Sequence, residues 1–196
     1  QDTAGDGWFG IQGVRLEAAV SHPSPPAPPS TPGIWTSPVY EDWWPGATGW
    51  TGTSLALSTC AQFGTMLGGY QVLNASAYLE KTFTNLPPHS SLRLRLTFTR
   101  IDKLDTGLIY VDGGEAWRHV FGIGGVAGAQ HACGLASGHY EDLQVKVDET
   151  VTHFAESVTI RVAGALSYWQ NTAGDGWFGI QGVRLETAVP LPAQPP

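Results

Sequence analysis

The 196-residue chain has little charge, since Lys, Arg, Asp and Glu together make up 14% of it. Basic residues are the scarcer kind, with 10 Lys and Arg against 17 Asp and Glu, so the formal net charge is −7. Nucleic acid is bound by basic surfaces, and this sequence has no basic stripe, so we expect no nucleic-acid partner. No apolar run approaches the roughly 18 residues that a membrane helix needs, so the sequence predicts no membrane span.

The sequence also lacks the motifs of common catalytic centres. Its six histidines form no HxH or HExxH pattern, and no G-x-S-x-G, phosphate-binding loop or Cys-His arrangement occurs. The adjacent pairs Glu41-Asp42 and Glu141-Asp142 would point to opposite faces of a strand, so neither forms an acid/base couple by itself. We therefore expect a protein that is not an enzyme and has no cofactor.

Cysteine is scarce too, with only Cys60 and Cys133. The low charge, 25 glycines, 14 prolines and eight Trp residues are typical of a β-rich extracellular module. In such a chain a pair of cysteines is read as one disulfide, which would stabilise the fold by about 4 kcal/mol in the chain-entropy model. Two buried free thiols are the alternative, since Cys is often a small core residue.

One segment of the sequence occurs twice. The first repeat segment, residues 1–20, and the second repeat segment, residues 170–189, differ only in Asp2 against Asn171 and Ala18 against Thr187. Near-identity over this length indicates a repeat with a period of 169 residues (170 − 1). The chain is then either the tail of one module followed by a complete module, or a subunit with a spare copy of its last strand.

Each repeat segment has the pattern of a bulged β-strand. In residues 176–189 apolar residues alternate with small or polar ones, and the phase shifts once, at Gln181-Gly182, as in a β-bulge. The equivalent strand at 7–20 needs a sheet that can bury its apolar side chains. It would pair outside residues 34–189 or displace the second repeat segment. The side chains expected to make these strand-addition contacts are Trp8, Phe9, Ile11, Val14 and Leu16.

A proline-rich segment follows each repeat segment. In residues 21–33 six of the 13 residues are proline, and residues 190–196 begin the same kind of segment. Extended polyproline II at about 3.1 Å per residue would give the first linker a reach of roughly 40 Å. These linkers resemble the Ser-Pro and Ala-Pro stretches of hydroxyproline-rich glycoproteins in green algal walls. The resemblance implies proline hydroxylation and O-glycosylation at Ser24, Pro25, Pro26, Pro28, Pro29, Ser30, Thr31 and Pro32. An unmodified stiff spacer is the alternative.

Residues 34–189 form the expected module. Alternating apolar and polar residues predict strands at 69–73, 77–86, 91–101, 108–111, 115–121, 143–147, 158–162 and 176–189. Asp112-Gly113-Gly114 predicts a hairpin turn. We expect residues 34–52 to be irregular with one short strand, and residues 122–134 to form a long loop. The set predicts an all-β fold, an antiparallel β-sandwich of jelly-roll type.

A resemblance to known modules supports the same fold. The segment from Phe83 to Phe98, followed by Ile101-Asp102 and by residues 110–113, is similar to repeated modules of algal and protist secreted and surface proteins. Those modules look like galactose-binding-type sandwiches, and the resemblance implies no particular activity. Where related sequences have a Trp-Asp pair, this chain has Lys103-Leu104-Asp105. We therefore do not infer that it shares a binding site with them at this position.

Asn74-Ala75-Ser76 is an N-glycosylation sequon. It lies between two predicted strands, so we expect an accessible loop with a glycan attached at Asn74.

Several aspartates lie near predicted turns. Asp102, Asp105 and Asp112 follow one another around a turn, and Asp175 precedes the last strand. Calcium takes oxygen ligands from loops of this kind, but the spacing matches no EF-hand. We favour ordinary turn chemistry, in which Asp accepts hydrogen bonds from nearby backbone.

Two functions fit the sequence. The first is a structural repeat unit of an extracellular fibre, whose partners are copies of itself joined head-to-tail by strand addition and stiff linkers. The strand at 7–20 would complete either the preceding module of the same chain or a separate subunit. The alternative is a carbohydrate-binding or adhesion module on a cell-surface or matrix glycoprotein. A pocket with convergent polar groups and a solvent-facing Trp would favour the alternative.

Overall fold

The computed structural model of the protein describes residues 34–35, 38–42, 47–122, 128–135, 140–166 and 176–189, with only the backbone of Glu41 and Asp42. All of them belong to the compact unit formed by residues 31–196. The predicted strand at 7–20, both proline-rich linkers and Asp175 lie outside the described residues.

The described residues form twelve strands. Their bounds are β1 (Ile34–Trp35), β2 (Tyr40–Asp42), β3 (Thr51–Gly52), β4 (Leu57–Cys60), β5 (Gly64–Gly68), β6 (Tyr78–Thr84), β7 (Ser91–Asp102), β8 (Thr106–Val111), β9 (Gly114–Val120), β10 (Leu143–Thr152), β11 (Ser157–Ala165) and β12 (Gly176–Val189). A single 3-10 turn at Ala61–Phe63 joins β4 to β5. The part of the chain described here contains no helix long and apolar enough to cross a membrane.

The strands form two antiparallel sheets. The larger has the order β10-β7-β12-β5-β4, with β1 and β2 also paired to β12, and the smaller has the order β3-β6-β11-β8-β9. The eight strands β5 to β12 divide between the sheets as β5-β12-β7-β10 and β6-β11-β8-β9, which is the strand order of a jelly roll. The predicted all-β, jelly-roll-like sandwich is confirmed.

The core lies between the two sheets and follows from the alternation along each strand. In β7 the side chains at even positions, from Leu92 to Phe98, are buried between the sheets. The Phe98 ring stacks on that of Phe178 in β12, with centroids 5.5 Å apart and planes 6° from parallel. The second repeat segment thus supplies one of the central aromatic residues of the core.

The strand β12 lies in the interior of the larger sheet. On one edge it pairs with β7 over most of its length, and on the other edge it pairs in turn with β5, β2 and β1. The register with β7 shifts between Gln181 and Arg184, and Gly182 has a φ of 60°. The predicted bulge at Gln181-Gly182 is confirmed, because a left-handed residue there is what glycine allows.

One predicted strand is wrong. Residues 69–73 form a turn, in which Gly69 and Gln71 have φ values of 101° and 59°, in the left-handed half of backbone space. The strand instead occupies Gly64–Gly68 and forms a hairpin with Leu57–Cys60, a pairing that the sequence analysis missed. Residues 34–52 contain β1, β2 and β3 rather than one short strand.

Candidate binding site

The outer face of the larger sheet presents rows of polar side chains. Because the leucines of β7 face the core, Arg95 and Thr97 point to the other side of the sheet. Arg95 lies opposite Asp148 of β10 and Arg184 of β12. With strands about 4.8 Å apart, such a row of three spans roughly 10 Å.

The bulge in β12 places the polar residues of that strand on the outer face. Gln181 lies opposite Thr97, and two residues intervene before Arg184 lies opposite Arg95, where a regular strand would have one. The extra residue keeps Val183 in the core while Arg184 faces outward with Gln181. Without the bulge every residue after Gln181 would face the opposite way.

These rows line a groove of about 670 Å³. This volume lies within the range of about 300–1,000 Å³ that is usual for small-molecule sites. The residues around the groove come from β5, β7, β10 and β12; they are Gly64, Thr65, Arg95, Leu96, Thr97, Lys146, Val147, Asp148, Gln181, Gly182 and Arg184.

A buried carboxylate holds the two facing arginines in place. Glu186 is 4% exposed, and its Oε2 accepts a hydrogen bond from an Arg95 nitrogen at 2.7 Å. Its Oε1 lies 2.9 Å from a nitrogen of Arg184. Like charges directly opposite each other on neighbouring strands are destabilising, and Glu186 offsets that repulsion. We call Arg95, Glu186 and Arg184 the arginine clamp.

A second ion pair flanks the clamp. Arg93 donates two hydrogen bonds to the Asp148 carboxylate, each 2.5 Å long. This bidentate hydrogen bond holds the pKa of Asp148 below its ordinary value and the pKa of Arg93 above its own. The pair is open to solvent, with the two side chains 29% and 46% exposed, so its interaction is screened.

The end of the groove nearest the 3-10 turn is held rigidly by amides. The Gln181 side chain donates to the carbonyl oxygens of Phe63 at 2.9 Å and Thr65 at 2.5 Å. Its own oxygen accepts a hydrogen bond from Gln144 at 2.8 Å. Lys146 donates to the Thr97 hydroxyl at 2.7 Å, which keeps the ammonium over the groove.

The groove face is locally basic in an acidic chain. Four of the ten basic residues of the chain lie on it, against two carboxylates among the side chains that form these pairs. The basic residues are Arg93, Arg95, Lys146 and Arg184, and the acidic ones are Asp148 and Glu186. Among the described side chains that form these pairs, positive charges therefore outnumber negative ones by two (4 − 2), whereas the whole chain is at −7.

Aromatic residues lie beside the groove rather than in it. Trp35 lies beyond the Arg93 end, with its ring 5.8 Å from the Arg93 guanidinium. Beyond the other end, Trp177 packs on Tyr70 with ring centroids 5.8 Å apart. None of the described residues lining the groove is aromatic, so none of them offers a ring on which a sugar could stack.

Cys60 and Cys133 form a disulfide that lies on the same face of the larger sheet. Both pack against the buried Ile101 and Met66. Asp142, which is fully buried, accepts backbone hydrogen bonds from Ala132 at 2.8 Å and Cys133 at 2.6 Å. Burial raises the pKa of Asp142, and these N–H groups oppose that rise. The disulfide and Asp142 together attach the loop at 128–135 to the sheet.

The other residues singled out in the sequence lie away from the groove. Asn74 is half-buried in the turn between β5 and β6, where its Oδ1 accepts hydrogen bonds from the backbone N–H and hydroxyl of Ser76. Glycosylation at Asn74 stays a prediction.

Two of the aspartates accept hydrogen bonds from backbone N–H groups that are 33 and 47 residues away in the sequence. Asp102 accepts one from Leu135 N–H at 3.0 Å, and Asp112 accepts one from Thr159 N–H at 2.8 Å. Asp105 is 9% exposed. In the described residues no three His, Cys, Asp or Glu side chains come together in a way that could hold a metal ion.

The sequence analysis missed the groove residues. Arg93, Arg95, Lys146, Arg184 and Glu186 all occupy the polar phase of strands that were predicted correctly. The signal for a binding site in the sequence was the presence of four basic residues among them, on three strands. That signal becomes visible only once β12 and β10 are known to flank β7.

No protein-family model matches the sequence, and a search of curated proteins finds no match. Among solved structures, a family GH115 4-O-methyl-α-glucuronidase with specificity for decorated arabinogalactans is similar over 76% of this chain, with 13% identity and a TM-score of 0.44. The chain spans 18% of that enzyme. A family 35 carbohydrate-binding module from Clostridium thermocellum is similar over 72% of this chain and 94% of its own, with 14% identity and a TM-score of 0.41.

The cleaved K3 adhesin domain of Lys-gingipain from Porphyromonas gingivalis is similar over 77% of this chain and 100% of its own, with 13% identity and a TM-score of 0.39. At these identities and TM-scores the likenesses carry no argument about ligand or activity.

Proposed function

We propose that this protein is an extracellular, non-catalytic carbohydrate-binding module that binds an anionic saccharide in the groove on its larger sheet. The observation behind the proposal is the arginine clamp, in which Arg95 and Arg184 lie side by side on neighbouring strands at the groove and share the buried Glu186. Guanidinium groups are suited to carboxylate and sulfate oxygens, because their N–H donors form a planar fork.

The rest of the groove suits a polyhydroxylated ligand. Thr65 and Thr97 contribute hydroxyls, Asp148 an acceptor and Lys146 a third cation. These groups stand on strands of one sheet, so little conformational entropy is lost when a ligand engages them. The disulfide between Cys60 and Cys133 is consistent with an oxidising, extracellular setting.

Binding to a panel of polysaccharides tests the proposal. Polyuronates, sulfated polysaccharides and neutral polysaccharides are compared by isothermal titration calorimetry or affinity electrophoresis. We expect binding to one of the two acidic classes, weakening as salt is raised because the groove is open to water. The class that binds identifies the anionic group as carboxylate or sulfate. Binding to neutral polymers alone would contradict the proposal.

Arg95→Ala is the variant that separates a specific site from general attraction. Loss of charge-assisted hydrogen bonds worth about 1.5–3 kcal/mol should weaken binding about 10- to 100-fold. Arg118→Ala is the matched control. This substitution removes the same charge as Arg95→Ala, but Arg118 pairs with Glu115 in β9 of the smaller sheet. Equal losses in both variants would show that net charge, and not the clamp, governs binding.

The second function that we propose is a structural repeat unit, joined to its neighbours by β-strand addition and stiff, glycosylated linkers. One observation favours it: the sequence of β12, an interior strand of the sheet, recurs at residues 7–20. The two functions are compatible, because a module can bind saccharide while its neighbours extend a fibre. Electron microscopy of the native protein would show filaments, whereas dispersed monomers would contradict this second function.

A further inference from the structure

The outer face of the smaller sheet carries a second concavity, of about 280 Å³. In β11 the side chains of Val158, Ile160 and Val162 are buried in the core, so Thr159 and Arg161 face outward. The described residues that line the concavity come from β6, β8, β11 and the turn after β8; they are Glu80, Tyr110, Gly113, Thr159 and Arg161. We call this concavity the Tyr110 pocket.

Three of these side chains form one row across the smaller sheet. Arg161 lies directly opposite Glu80 of β6 on one side and directly opposite Tyr110 of β8 on the other. With strands about 4.8 Å apart, the row spans roughly 10 Å. A carboxylate, a guanidinium and an aromatic ring therefore stand side by side on one surface.

The carboxylate and the guanidinium of this row do not satisfy each other. Arg161 Nη1 lies 3.8 Å from Glu80 Oε2, which is too long for an N–H···O hydrogen bond. The two side chains are 45% and 36% exposed, so both groups are accessible to a ligand. A hydroxyl group can both donate and accept, so two neighbouring hydroxyls of one ligand can bond to Glu80 and Arg161 together.

Contacts with neighbouring side chains hold the row in place. The Arg161 guanidinium carbon lies 3.9 Å from the centroid of the Tyr78 ring, a cation–π contact. The Thr159 hydroxyl lies 2.9 Å from that of Thr82 on the adjacent strand. Because these groups stand on paired strands and are already in contact, a ligand would cost them little conformational entropy.

The charges in the pocket indicate the class of ligand. Glu80 and Arg161 have opposite charges, so the pocket favours neither anions nor cations, in contrast to the basic groove on the larger sheet. Tyr110 also offers an aromatic ring, which the described groove residues do not. We infer that the Tyr110 pocket binds one ring of a neutral saccharide, with Tyr110 against its C–H face and Glu80 and Arg161 on its hydroxyls.

This second site does not rest on the proposed function, because the described residues that line it include none of those that line the groove. The two sites lie on the outer faces of different sheets, which point in opposite directions. If both are occupied, one molecule holds two saccharide chains at once. That consequence, unlike the pocket itself, does rest on the proposed function.

Amide NMR of the isotope-labelled full chain tests the inference, with galactose, glucose, mannose and xylose added one at a time. We expect at least one of these sugars to cause its largest shifts at Tyr110, Gly113, Thr159 and Arg161. The affinity should be weak, because a single ring buries little surface. Glycine serves as the zwitterionic comparison and glucuronic acid as the anionic one. Neither should shift these amides as strongly as the best neutral sugar.

Glu80→Gln removes the carboxylate and keeps the shape of the side chain. It should weaken binding of the neutral sugar about 10-fold, because a charge-assisted hydrogen bond becomes a neutral one. Glu115→Gln is the matched control: it removes the same charge on β9, and Glu115 is not among the residues that line the pocket. Both glutamates are partly exposed, so neither substitution disturbs the core. Tyr110→Ala should weaken binding about 2- to 10-fold through loss of the aromatic face.

Three results would overturn the inference. The first is that none of the four sugars shifts the pocket amides up to its solubility limit. The second is equal affinity in Glu80→Gln and Glu115→Gln, because the carboxylate would then make no contact with the sugar. The third is a preference for a charged ligand, seen as stronger binding in Glu80→Gln or as larger pocket shifts with glycine or glucuronic acid.

Failure of the pocket and failure of the proposed function are distinguishable, because the shifts fall on different sheets. If neutral sugars shift the pocket amides and no acidic polysaccharide binds, the proposed function fails and the Tyr110 pocket stands. If acidic polysaccharides bind at the groove and no neutral sugar shifts the pocket amides, the reverse holds.

Discussion

Glu186 connects stability and binding at the scale of single residues. It is almost fully buried on a polar face, and each of its two carboxylate oxygens pairs with one arginine. A carboxylate in this position costs desolvation and repays it only while both guanidinium groups are present. The arrangement makes sense if the two arginines must stand side by side, as an anionic ligand would require.

Glu186→Gln should lower the free energy of unfolding by about 1–3 kcal/mol, because it leaves Arg95 and Arg184 facing each other without the charge between them. Urea denaturation monitored by Trp fluorescence measures the change. Glu115→Gln is the control, since Glu115 pairs with Arg118 on the surface, and it should leave stability almost unchanged. A loss at Glu186 no larger than this would contradict the structural role of the clamp.

Arg93 and Asp148 predict a pH dependence. Hydrogen bonding to Arg93 lowers the pKa of Asp148 in the folded state. A depressed carboxyl pKa stabilises the fold above the unfolded-state value, near pH 4, and this contribution disappears as pH falls through the folded-state pKa. Arg93→Ala should therefore cost under about 1 kcal/mol at pH 7, since both side chains are partly exposed, and less at pH 3. Denaturation at the two pH values would refute this if the cost were unchanged.

At the scale of the elements, β7 and β12 illustrate what a sequence reveals. The Leu-Arg alternation of β7 and the phase shift at Gln181-Gly182 predict two strands and a bulge, since both are local patterns. The β4–β5 hairpin was missed because its strands are four and five residues long and β5 both begins and ends with glycine. Short strands of this kind are selected by tertiary pairing rather than by local pattern.

The disulfide element gives a further prediction. Cys60→Ala with Cys133→Ala should lower the free energy of unfolding by about 4 kcal/mol, because the bridge closes a loop of 73 residues in the unfolded chain. Adding reductant to the unaltered protein should reproduce the loss and leave the double variant unaffected. If the reductant destabilised both proteins equally, the effect could not be assigned to this bridge.

At the scale of the whole molecule, the jelly roll explains why the groove could not be predicted. The arginine clamp joins residue 95 to residues 184 and 186, which become neighbours only because β12 inserts between β7 and β5. Alternation predicts that these side chains face away from the core, but not which of them share a row. The fold class could be predicted from many short alternating strands, whereas the site depends on strand order and register.

The central claim is that the outer face of the larger sheet binds an anionic saccharide through the arginine clamp. Backbone amide NMR of the isotope-labelled chain, titrated with an acidic oligosaccharide from the polymer class that binds, tests it most directly. We expect the largest shifts at groove residues on β5, β7, β10 and β12, among them Thr65, Arg95, Lys146 and Arg184. Shifts concentrated on the smaller sheet, or none at saturating ligand, would contradict it.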